Sequence, residues 1–69
     1  MNLKELRLDK GIKAIKVAEL LGISRVQLNN LERGKFKVSE DKIVKLSDIY
    51  RIPKYELLNV IDETYKLRK

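Results

Sequence analysis

Arg25, Val26, Gln27, Asn29 and Asn30 fall in one short run that also holds Leu28 and Leu31. If the run is helical and the two leucines face inward, the other five side chains are left for solvent or a ligand. Their chemistry is recognition rather than bond making. A guanidinium pairs bidentately with the edge of guanine, a carboxamide with adenine, and a valine can touch a thymine methyl. Each also has a plainer use. Gln27 lies three residues after Ser24 and can close a capping box with it; Arg25 can bind a phosphate; Asn29 can stay solvated or contact a backbone. Histidine and cysteine are absent, so zinc's usual nitrogen and sulfur ligands, thiolate chemistry and disulfides are all excluded. There is no phosphate-binding glycine loop and no paired carboxylate set, and Ser24 is better explained as a helix cap than as a nucleophile. The sequence points away from an enzyme and calls for no cofactor and no metal.

Charge supports a polyanionic partner. The chain has 69 residues, with 16 basic and 10 acidic side chains, a net +6. The first 37 residues hold nine basic groups (Lys4, Arg7, Lys10, Lys13, Lys16, Arg25, Arg33, Lys35, Lys37) against Glu5, Asp9, Glu19 and Glu32. The remainder is nearly balanced, so the excess sits where a polyanion would dock. A solvated surface would show the same asymmetry. No run is apolar enough to span a membrane, and the start of the chain has no signal-peptide character. The expectation is a cytoplasmic protein.

The elements that must position these groups are short helices. Strong helix formers dominate and no strand-like alternation persists. Asn2 and Glu5 can form a capping box for a first helix with Leu3, Leu6 and Leu8 on its apolar side; Gly11 ends it. A second helix, about residues 14–21, carries Val17, Ala18 and Leu21, with Lys13 a poor cap. After Gly22-Ile23, Ser24 opens a third helix that Gly34 stops. Phe36, in the loop that follows, is expected to pack against the joint with the next helix. Ser39 opens a fourth helix with Ile43, Leu46 and Ile49 inward, and Pro53 a fifth with Leu57, Leu58 and Ile61. The last residues, Leu67-Arg68-Lys69, are expected to fray. A chain this small has a thin core.

Two helices joined at a glycine turn, with the small Ala18 where the second approaches, form a helix-turn-helix. Leu6-Arg7, Gly11-Ile12, Val17-Ala18, Leu21-Gly22-Ile23-Ser24, Leu31-Glu32-Arg33-Gly34, Ile52-Pro53 and Leu57-Leu58 together resemble the phage-repressor and Cro-type (Xre-like) helix-turn-helix family of bacteria and their phages. The resemblance implies an all-α, five-helix repressor-type domain over residues 1–69, with a family core at about 3–58 and a helical extension at about 59–66. It implies a structural ion pair between Arg7 and Glu32. It assigns base contacts to Arg25, Val26, Gln27 and Asn30. Phosphate contacts are expected from Ser24, from Arg33, Lys35 and Lys37, and from backbone N–H groups near Phe36. Where the family carries a cap and a DNA-touching glutamine at the start of the second helix, this chain has Lys13 and Ala14; Lys13 or Lys16 would then supply a phosphate contact.

The function this implies is a sequence-specific regulator, repressor-like, that binds a double-stranded DNA operator at the nucleoid. Two-fold symmetry would double its contacts, so a homodimer is expected at least on DNA. Tyr55, Leu58, Ile61 and Tyr65, with Tyr50 nearby, form the candidate dimer surface, unless they serve to close the thin core. The alternative is a helix-turn-helix fold that binds an antirepressor, toxin or other protein and contacts DNA weakly.

Overall fold

A computed structural model describes residues 1–67. Five helices follow in order: α1 (Leu3–Asp9), α2 (Ala14–Leu21), α3 (Arg25–Glu32), α4 (Glu40–Tyr50) and α5 (Lys54–Tyr65). Local chemistry explains their starts. Asn2 Oδ1 accepts from the Glu5 N–H while Glu5 Oε1 accepts from the Asn2 N–H, both at 2.9 Å. Ser24 and Gln27 make the same reciprocal pair at the head of α3. Ser39 Oγ accepts from Lys42 N–H at 3.4 Å, and Glu40 and Asp41 in that first turn suit the positive end of the helix dipole. By contrast α2 begins without a side-chain cap, at Lys13.

The helix ends are equally local. Beyond α3, the Lys35 N–H donates to the Asn30 carbonyl and the Gly34 N–H to the Leu31 carbonyl, both at 3.1 Å. Beyond α2, Ile23 N–H reaches the Ala18 carbonyl and Gly22 N–H the Glu19 carbonyl. This paired closure needs a residue at positive φ, which glycine supplies at no steric cost. At the end of α4 the left-handed residue is Arg51, with φ 54°. There the Ser47 hydroxyl donates to the Ile52 carbonyl at 2.6 Å and holds the corner.

The core gathers one face of every helix, with α2 packed on α3 and α4, α4 on α5, and α5 on α1. Leu3, Val17, Leu28, Leu46, Tyr50 and Leu57 are its most buried members. The inward face of α1 differs from the sequence expectation. Leu8 is 60% exposed, and the buried set is Leu3, Leu6 and Arg7. Positions three and four apart share a face, so Arg7 occupies the place an aliphatic residue would normally take.

The last turns of α5 are structural. Val60, Ile61 and Thr64 are buried. Thr64 Oγ1 accepts from the Leu3 N–H at 2.8 Å, satisfying one of the N–H groups that the start of α1 leaves without a helical partner, and donates to the Val60 carbonyl at 2.9 Å. Ile61, expected on a dimer surface, is 4% exposed, and Tyr50, in the same core, is 1% exposed. Tyr65 is half-buried. These side chains close the core because α5 is the lid over α1. Of the proposed dimer set only Tyr55 and Leu58 remain exposed. Leu67 is exposed, while Arg68 and Lys69, where fraying was expected, lie outside the described residues.

Gly22 and Gly34 share a positive φ but differ in surroundings. A β-carbon at Gly22 meets nothing within 4 Å, whereas one at Gly34 lies 2.6 Å from the Thr64 carbonyl oxygen. Gly22→Ala is expected to cost about 1 kcal/mol, the strain of the left-handed conformation alone. Gly34→Ala is expected to cost about 1–3 kcal/mol more, because the steric clash is added. Urea unfolding of both variants checks the contrast, and equal losses would refute the close approach of α5.

Candidate nucleic-acid interface

The outward face of α3 is set by what the helix buries. Leu28, Leu31 and Glu32 face inward, so Val26, Asn30 and Arg33, spaced at i, i+4 and i+7, form the opposite ridge. Val26 is 68% exposed, Arg33 is exposed and Asn30 is half-buried. Arg25 and Asn29 lie on the shoulder toward α1, and Gln27 on the shoulder toward α4.

Both shoulders lead into basic banks. On the α1 side, Lys4, Lys13, Arg25 and Asn29 line one shallow depression. It runs on through Lys4, Asn29 and Arg33 to a third lined by Lys4, Arg33, Lys35 and Phe36. On the α4 side, Gln27, Lys37, Ser39 and Lys42 surround a depression floored by Ile23 and Leu31. The ridge therefore stands between two cationic margins, as a helix entering a groove between two phosphate strands requires. Lys16 is exposed but lines neither bank. Sequence reasoning missed Lys4 and Lys42, since only the packing of α1 and α4 beside α3 brings them to it. Phe36, expected to pack at the α3–α4 joint, is 49% exposed and lines both depressions.

The α3 cap alters what Gln27 can read. Gln27 Oε1 accepts from the Ser24 N–H at 2.9 Å, and the Gln27 N–H donates to Ser24 Oγ at 3.0 Å. With one lone pair of its carbonyl oxygen committed, Gln27 keeps the second lone pair and its two amide N–H donors for a base. Bidentate pairing with adenine needs both donor and acceptor, and the cap restricts the side-chain orientations in which Gln27 can offer them. The Ser24 hydroxyl still has its own proton to donate to a phosphate.

The height of α3 is fixed by a buried ion pair. Arg7 Nε donates to Glu32 Oε2 at 2.8 Å and Arg7 Nη2 to Glu32 Oε1 at 3.3 Å, while Nη1 reaches the Ile12 carbonyl at 3.3 Å. The side chains are only 10% and 5% exposed. The hydrogen bond to Glu32 raises the Arg7 pKa, against the opposing effect of burial. Tyr50 lies beside the pair, and burial, reinforced by Glu32 and partly offset by Arg7, pushes its phenol well above the usual range. Among the described residues, no cluster of acidic side chains is placed to hold a metal ion, and no helix is long and apolar enough to cross a membrane.

The profile of the helix-turn-helix family matches residues 3–57. The chain belongs to the Xre/Cro-like helix-turn-helix family. The family is one of DNA-binding transcription regulators rather than an enzyme class. The chain is 44% identical over 48 residues to a Thermococcus kodakarensis protein named for an HTH-type transcriptional regulatory role, covering 70% of this chain and 15% of that protein. A similarly named Pyrococcus furiosus protein is 37% identical over 51 residues, covering 74% of this chain and 16% of the relative. The chain thus spans about one-sixth of the length of these relatives. No solved structure matches it.

The raised Tyr50 pKa has a definite sign. The folded helix-turn-helix retains the phenol proton where the unfolded chain releases it. The stability that Tyr50 contributes is therefore full below about pH 9 and falls as pH rises through about 10, by up to about 1.4 kcal/mol per unit. Tyr50→Phe cannot titrate, and lysine ionisation is common to both proteins. The stability of wild type relative to Tyr50→Phe should hold steady to about pH 9 and decline above it. Paired denaturant melts across that range check this, and a constant difference would remove Tyr50 from the account.

Proposed function

We propose that the chain is a sequence-specific, repressor-like regulator that inserts α3 into the major groove of double-stranded DNA. The observation that carries this reading is the ridge of Val26, Asn30 and Arg33 standing between two basic banks. Arg25, in the first turn of α3, is where a recognition helix reaches base edges. Lys4, Lys13 and Arg33 would follow one phosphate strand, and Lys37, Lys42 and the Ser39 hydroxyl the other. Lys35 joins the first bank at its far end.

Homodimer formation on DNA is part of the proposal. Tyr55 and Leu58, at i and i+3 on α5, are 72% and 43% exposed and present an apolar surface that the core does not use. Such a regulator works in the cytoplasm, at the nucleoid. An interaction module that binds protein instead of DNA would have no need of cationic margins on both sides of α3.

Selection of bound sites from a random duplex pool tests the proposal directly, and failure to bind any duplex DNA at low salt would overturn it. On the selected site, Arg25→Ala should cost about 1–3 kcal/mol and relax base preference. An equal loss on every sequence would make Arg25 a phosphate contact instead. Lys37→Ala should weaken binding evenly across sequences and lower the salt dependence by about one unit of slope. An unchanged slope would remove Lys37 from the backbone contacts.

A further inference from the structure

The basic loop between α3 and α4 is gripped at both ends by the last turn of α5. At one end, Gly34 is buried with its Cα face pressed on the Thr64 carbonyl and Tyr65 Cα, leaving no room for a β-carbon. At the other, the Val38 N–H donates to the Tyr65 hydroxyl at 2.7 Å, and the Val38 side chain is buried in the core. Gly34, Phe36, Lys37 and Tyr65 line one shallow depression between these grips. The tyrosine is thus in the immediate surroundings of Lys37, one of the loop's two lysines. Thr64 and Tyr65 both lie beyond the residues that match the family profile.

We propose that this turn of α5 is a bracket that holds residues 34–38 in their docking shape, with Tyr65 as a positioning residue for DNA-backbone contact. The inference rests on the DNA-binding reading and adds a part to it. A five-residue loop with free ends would sample many shapes, and ordering it on DNA would cost affinity. The bracket meets that cost during folding. The Tyr65 hydroxyl is suited to the task because its ring closes the core while its oxygen accepts from a loop amide that lacks a helical partner.

Tyr65→Phe keeps the ring and deletes the acceptor. In the variant, amide exchange at Val38 should accelerate about tenfold while the Leu46 amide, inside α4, stays unchanged. Affinity for random-sequence duplex DNA should fall about two- to tenfold, the worth of one hydrogen bond. In a Lys37→Ala background that loss should shrink, because one of the contacts the bracket positions is already gone. An unchanged Val38 amide overturns the bracket. A loss of the same size with and without Lys37 overturns the positioning role and leaves Tyr65 a stability residue. If the wild-type chain binds no duplex DNA, the docking purpose fails with the proposed function, and the exchange measurement still decides whether the bracket exists.

Discussion

The bidentate pair between Arg7 and Glu32 constrains everything else in this domain. Two opposite charges removed from water attract strongly, but their desolvation offsets most of that gain. The pair's value is geometric. A guanidinium fork fits a carboxylate in one plane and one direction, so α1 and α3 can pack in a single register. Arg7 also holds the Ile12 carbonyl, which ties the turn before α2 to the same anchor. Both ends of the helix-turn-helix are thereby referred to one buried group. Loss of either partner would strand a charge in the core, a penalty of about 3–5 kcal/mol.

Around that anchor the domain relies on short-range chemistry repeated. Reciprocal caps start α1 and α3, and positive-φ residues close the helices into corners. Such devices act within five or six residues and need no distant partner. The exceptions carry the interest. α2 starts uncapped at Lys13, on the edge of a cationic bank. Arg51 adopts a conformation that glycine holds more cheaply, and the Ser47 hydroxyl compensates at that corner.

What was legible in the sequence follows the same division. Helix starts, glycine stops and the turn at Gly22-Ile23 can be read from neighbouring residues, because the forces that make them are local. The inward position of Arg7 agrees with its i, i+4 spacing from Leu3, but side-chain polarity favoured the apolar Leu8; the family resemblance pointed to Arg7 through Glu32. Long-range facts left no local mark. Lys4 and Lys42 look like ordinary solvated charges until α1 and α4 are packed beside α3. Ile61 and Tyr65 stayed open between a dimer surface and the core, because the sequence does not show that the start of α1 needs a lid. Gln27 was open between two uses, and only the folded structure shows its carbonyl bound to the Ser24 N–H.

The clasp between the first residues and α5 has a further consequence for how the unit can be joined to others. The Met1 amino group meets the Glu63 carboxylate at 3.2 Å, and the next helical amide is bound by Thr64. The first residues and the last turns of α5 lie side by side. A start and a last helix held together in this way suit insertion into a host protein, since both joints fall on one side of the module. Only the exposed Met1–Glu63 pair would be lost on extending the chain backward, and such surface pairs contribute little. Thr64, by contrast, must be retained in any such splice. Cutting before it would release both the start of α1 and the glycine that ends α3.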